Sequence, residues 1–106
     1  MRAVGNPPSS GGGLFGSVEV DFGVTPTNEA TAVITGKTGI TANSNISVWI
    51  QADDTTADNN AAAHNSLSLW AVCTAVDRVV GVGFTVQITL LSGYATGRFK
   101  FHYTHD

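Results

Sequence analysis

Four side chains that could hold a cation or move a proton, Asp53, Asp54, Asp58 and His64, fall within one polar stretch, residues 53–65. Carboxylates and imidazole are donors for divalent cations, and hard oxygen ligands on a loop suit calcium. Their spacing matches no calcium-binding loop, and no second histidine lies close by. The sequence therefore favours a solvated loop whose Asp and Asn side chains bond their own backbone, with a ligand or metal loop as the alternative. His102, His105 and Asp106 also pair imidazole with carboxylate, but a chain end is expected to be too mobile for acid–base work. They read as surface decoration. Cys73 falls in phase with Leu67 and Leu69, so it reads as a small core residue rather than a nucleophile. No Ser-His-Asp signature is present, and Gly81-Val82-Gly83 precedes no helix that could cradle a phosphate. No catalytic residue, metal or cofactor is assigned, and the chain is not expected to be an enzyme.

Trp49 and Trp70 each fall on the opposite phase from the aliphatic residues of their strand. Aromatic side chains so placed form sugar platforms in carbohydrate-binding β modules, anchor protein interfaces, or pack beneath a covering loop. All three roles stay open for this pair.

Strand alternation must position these groups. Val18, Val20 and Phe22 alternate with Ser17, Glu19 and Asp21, and period two puts the apolar set on one face. Gly23 ends that strand, and Pro26 forces a turn. Residues 29–35 are rich in β-branched types and predict a second strand, after which Ile40 is the one expected anchor in a polar loop. Ile46, Val48 and Ile50 define a third strand. Ala61 to Ala63 favour a short helix, with Asp58 placed to cap it. Leu67, Leu69 and Ala71 restart the alternation. The last two runs, Phe84 to Leu90 and Arg98 to Tyr103, flank a loop with two glycines and read as a closing hairpin. The polar side of its second strand, Arg98, Lys100 and His102, would blunt a sheet edge, or meet the acidic 53–58 loop of a neighbour. Together these predict an all-β chain: an antiparallel β-sandwich or small barrel of about six to eight strands, with at most one short helix. Residues 1–13 carry Pro7-Pro8 and a Ser/Gly run and are expected to form a flexible arm; 14–106 form the single β domain.

A chain of 106 residues fits one domain with one core. Charged residues are only 12% of it, about half the usual share, so the polar surface must rest on Thr, Ser, Asn and Gly. Five Lys and Arg and a net charge of −3 argue against a nucleic-acid partner. No apolar run approaches the roughly 20 residues that span a bilayer, so no membrane partner is expected. The start of the chain has no apolar core of a signal peptide, and one cysteine cannot close an internal disulfide. Production and use in the cytoplasm, without an export step, is the expectation. The Asn45-Ile46-Ser47 sequon then has no consequence.

Several segments taken in order resemble small structural proteins of tailed bacteriophages and prophages. They are Val20-Asp21-Phe22-Gly23, Val33-Ile34-Thr35-Gly36 with Gly39-Ile40 after it, the Asp/Thr/His loop, Gly83-Phe84-Thr85, and the closing aromatic strand after Gly97. The resemblance implies a compact β module from a head or tail gene, of a kind that decorates particles or assembles as homo-oligomers, trimers among them. It maps no catalytic residue onto this chain. The expected role is that of a virion structural protein, either a capsid decoration or cement protein or a small tail or fibre component. It would be assembled in the host cytoplasm, contacting other virion proteins through Leu14, Phe15, Trp49, Trp70, Arg98 and Lys100. The alternative is a receptor- or glycan-binding module at a fibre tip, using Trp49, Trp70, Tyr94 and the 53–65 loop.

Overall fold

Alternating apolar and polar residues give strands one face to bury, and each strand of this chain finds an opposing sheet for it. The computed structural model describes residues 15–106; Leu14 and the predicted arm over 1–13 lie outside the described residues. The elements run β1 (Phe15–Asp21), β2 (Glu29–Ile34), β3 (Ile46–Ile50), α1 (Ala61–Ser68), β4 (Ala71–Val79), β5 (Gly83–Leu90) and β6 (Arg98–His105). They form two three-stranded sheets, ordered β1-β6-β3 and β2-β5-β4, with every pairing antiparallel. The molecule is the expected small all-β sandwich.

Its core lies between the two central strands. Phe84, Val86, Ile88 and Leu90 of β5 are buried, as are Phe99, Phe101 and Tyr103 of β6. Phe84 meets Tyr103 edge-on, with ring centroids 5.3 Å apart, and Phe22 meets Phe99 the same way at 5.7 Å. T-shaped contacts of this kind add to the area term of burial. Ile40 is 1% exposed and anchors its loop as expected.

Two local expectations are corrected. The closing segment is not a hairpin, because β5 and β6 belong to different sheets. Each has one apolar face, and placing them in opposite sheets lets those faces bury each other, whereas a hairpin would leave both facing the same way. Residues 91–97 carry the chain across, held midway by reciprocal bonds between Thr27 and Ala95 of 2.9 and 3.1 Å. The strand expected to start at Leu67 begins instead at Ala71, because α1 continues to Ser68. Leu67 is buried from the helix and Leu69 is exposed. Cys73 faces inward and half-buried on β4, and burial pushes its thiol up to about 11, which keeps it protonated and unreactive.

β5 starts where the backbone of residues 34–35 runs against it, so that a methyl on Gly83 would overlap the Ile34 carbonyl. A backbone contact cannot give way as a flexible side chain can. Gly83→Ala is expected to lower unfolding stability by roughly 2–3 kcal/mol, read as a shifted midpoint in urea denaturation.

Candidate functional site

β3 is three residues shorter than the strand it pairs with. Its partners on β6 run only from Phe101 to His105, so among the described residues no strand flanks β6 over residues 98–100 on the side away from β1. Side chains of the 53–60 loop and α1 take the strand's place. Asp58 Oδ2 accepts from the Arg98 backbone N–H at 3.0 Å and from Arg98 Nε–H at 3.0 Å. Asn59 Nδ2 donates to the carbonyls of Thr96, at 3.2 Å, and Arg98, at 2.9 Å. His64 Nε2 accepts from the Lys100 N–H at 2.9 Å. Its other nitrogen, Nδ1, lies 3.0 Å from the Asn60 carbonyl. That oxygen can only accept, which assigns the proton to Nδ1 and leaves Nε2 as the acceptor. The ring is fully buried against Phe99, with centroids 5.1 Å apart.

The four residues singled out from the sequence therefore do separate structural jobs. Asp58 and His64 terminate the β6 edge. Asp54 Oδ1 accepts from Ala61 N–H at 2.7 Å at the start of α1. Asp53 takes the Thr55 N–H at 2.7 Å and the Thr55 hydroxyl, and these bonds, with smaller help from Lys100, hold its carboxyl below the usual range. The helix cap is Asn60, not Asp58: its side chain accepts from Ala63 N–H at 2.9 Å. Among the described residues, no group of three or more His, Cys, Asp or Glu side chains is placed to hold a metal ion. Sequence reasoning passed over Asn59 and Asn60, although an Asn three residues ahead of Ala63 is the spacing of an N-cap.

β6 is the central strand of its sheet, so its basic strip borders an open edge only where β3 falls short, and there the 53–60 loop and α1 cover it. Its charges are met within the chain. Arg98 and Lys100 sit across from Asp21 and Glu19 of β1, the arrangement that favours cross-strand pairs. On the other side Arg98 pairs with Asp58 at 3.0 Å and Lys100 reaches Asp53 at 4.0 Å. The bond to Asp58, then its charge, raises the Arg98 guanidinium further above its usual value. The acidic loop expected to come from a neighbour is thus supplied in cis. The C-terminal end is likewise held: His105 is buried, and the Asp106 carboxylate accepts from Asn45 N–H at 2.9 Å and Asn45 Nδ2 at 3.0 Å. Those bonds lower the Asp106 carboxyl and engage the amide of the sequon.

The exposed aromatic residues are dispersed. Phe15 lies on β1, and Trp49, on β3, stacks on His102 with centroids 5.9 Å apart. Trp70 and Tyr94 instead line one groove of about 310 Å³ with Asn59, Ser66, Ser92 and Thr96. Trp49 is not part of it. A second concavity, of about 420 Å³, lies over the Asp21, Asp58 and Arg98 side chains.

The outer faces of the two sheets contrast. That of β1-β6-β3 carries the charges just described. Across β2, β5 and β4 the outward rows are Glu29-Thr89-Val72, Thr31-Gln87-Thr74 and Val33-Thr85-Val76. Of these nine residues only Glu29 is charged, and Val33 is 71% exposed; the exposed pair Asp77 and Arg78 follows Val76 at the end of β4. The β4–β5 turn at the end of this face adds exposed Val79, Val80 and Val82. No family model matches the chain, no curated protein matches it, and no solved structure matches its fold.

Replacing His64 by Ala opens a cavity and leaves the Lys100 amide unpaired, for an expected loss of roughly 3 kcal/mol; His64→Gln, which keeps an acceptor, recovers part of it in denaturant titrations. The depressed carboxyls of Asp53 and Asp106 bind a proton more weakly folded than unfolded. Their contribution is therefore present above the ordinary carboxylate value of about 4 and is lost as pH falls through the lower folded values. Thermal unfolding across pH 2–6, an interval of about two units either side of that value, is expected to show the loss on the acid side and a shallower slope in Asp53→Asn.

Proposed function

We propose that the chain is a structural β module that works by burying surface between subunits, with no chemical step of its own. The observation that carries this reading is the outer face of the β2-β5-β4 sheet. It is broad, nearly uncharged and edged by exposed valines at 33, 72, 79, 80 and 82. A low-charge face edged by exposed valines can be buried at an interface without desolvating ionised groups. Its occupant is a second copy of the chain, because a face with one charge per nine positions meets its own kind without opposing like charges. The charged face, by contrast, is already neutralised internally and has little to offer a partner.

The resemblance to small structural proteins of tailed phages suits the same role, and virion decoration or a small tail component is the form proposed for it. A homo-oligomer in a particle needs a rigid unit, and the two pinned sheets provide one. Interfaces that hold such assemblies bury on the order of 1,600 Å² in total.

Sedimentation equilibrium of the chain is expected to show a closed oligomer that Val33→Lys combined with Val72→Lys dissociates, weakening association about tenfold or more. Both sites are on the surface, so unfolding stability should change by no more than about 0.5 kcal/mol. A monomeric parent chain, or an oligomer indifferent to the two lysines, would refute the face. Finding the chain at stoichiometric copy number in purified particles tests the virion role separately.

A further inference from the structure

We propose that the groove between Trp70 and Tyr94 binds a neutral saccharide. None of the outward residues of the proposed subunit face lines the groove, and the proposal does not depend on that face. Its rims are fixed by backbone bonds. The Trp70 carbonyl accepts the Leu91 N–H at 2.8 Å, and Ala95, next to Tyr94, exchanges two bonds with Thr27. Both aromatic side chains therefore project from tethered backbone yet remain 50% and 74% exposed. The backbone of both rims is thus tethered before any ligand arrives, which lowers the cost of ordering the site.

The lining selects the ligand class. Leu67, Leu90 and Phe99 form an apolar floor, Asn59, Ser66, Ser92 and Thr96 the polar walls, and among the described residues no charged side chain lines the groove. Asn59 is oriented by donating its Nδ2 hydrogens to the Thr96 and Arg98 carbonyls, which leaves Oδ1 to accept. Among the described residues, the hydroxyls of Ser66, Ser92 and Thr96 bond to no other protein group. An anionic ligand would meet no cation here. A wholly apolar one would strip water from three hydroxyls without replacing their bonds. A neutral sugar ring does neither. Its C–H face stacks on an aromatic ring and its hydroxyls exchange hydrogen bonds with Asn, Ser and Thr. About 310 Å³ stands at the small end of ligand sites and suits one or two sugar rings.

The test is NMR titration of the full chain with maltotetraose, cellotetraose, chitotetraose and mannotetraose. At least one is expected to move the Trp70 indole N–H and the amides of residues 92–96, with Kd below about 10 mM. The Trp49 indole should stay in place. Trp70→Ala and Tyr94→Ala should each weaken that binding about tenfold or more. Tyr94 is mostly solvent-exposed, so its variant keeps the fold and the sheet amides report it. The proposal fails if none of these sugars moves those resonances, if the shifts centre on Trp49 or on the β2-β5-β4 face, or if Tyr94→Ala binds as the parent chain does. It fails equally if a sulfated tetrasaccharide binds more tightly than the neutral ones.

Discussion

A single buried imidazole holds the place where one sheet of this sandwich runs out of strand. β3 stops at Ile50 while β6 begins three residues before its pairing with β3 does, and an open edge there would expose backbone groups beside the core. His64 closes it by accepting the Lys100 N–H while donating to the backbone of its own helix. Buried backbone donors are almost always paired, and the alternative to this bond is an orphaned amide beneath Phe99. Asp58 and Asn59 extend the same substitution toward Gly97. The polar loop is thus a side-chain replacement for a strand.

That substitution explains how much of the structure could be read from the chain. Period-two alternation located β1, β3, β5 and β6 to within a residue or two, because each has a face that must be buried, and β-branched content located β2. It could not say which strands share a sheet. β5 and β6 show the same pattern whether they pair with each other or pack face to face, and only the burial of both apolar faces decides for the latter. The 53–65 loop was legible as polar, with backbone-bonding Asp and Asn as its favoured reading. Its long-range partners were not, since Asp58, Asn59 and His64 act on residues 36 to 40 positions away. Local spacing carries no information about contacts of that separation. For the same reason the strip at Arg98 and Lys100 looked free, when its counter-charges on β1 and the loop are brought up only by the fold.

With so few charges in the sequence, their placement matters. The basic residues of β6 sit between Glu19 and Asp21 on one side and Asp53 and Asp58 on the other. Exposed pairs of this kind contribute little to stability. Their larger consequence is that one sheet face is charged and self-neutralised, while the other is left with Thr, Gln and Val. Water is displaced more readily from the second face, because neither ionised side chains nor their counter-charges need be desolvated. The contrast gives the domain a direction, with ionised side chains on one outer face and mostly Thr, Gln and Val on the other.

The groove at Trp70 has the same origin as the edge that His64 closes. Had β3 continued beside β6, its backbone would pair the Arg98 and Lys100 groups that Asp58, Asn59 and His64 now pair. Because it stops, α1 packs its Leu67 side beneath the crossing from β5 to β6, and the chain must turn at Trp70 to enter β4. Asn59 belongs to both arrangements: it ties the loop to β6 and stands in the groove wall. Gly97 shows how closely the two are joined, since a methyl there would come within 2.7 Å of the Asp58 Cβ, and its φ of 77° already disfavours any other residue. The irregularity left by one short strand and the concave surface beside it thus share a side chain, Asn59, which repairs the first and lines the second.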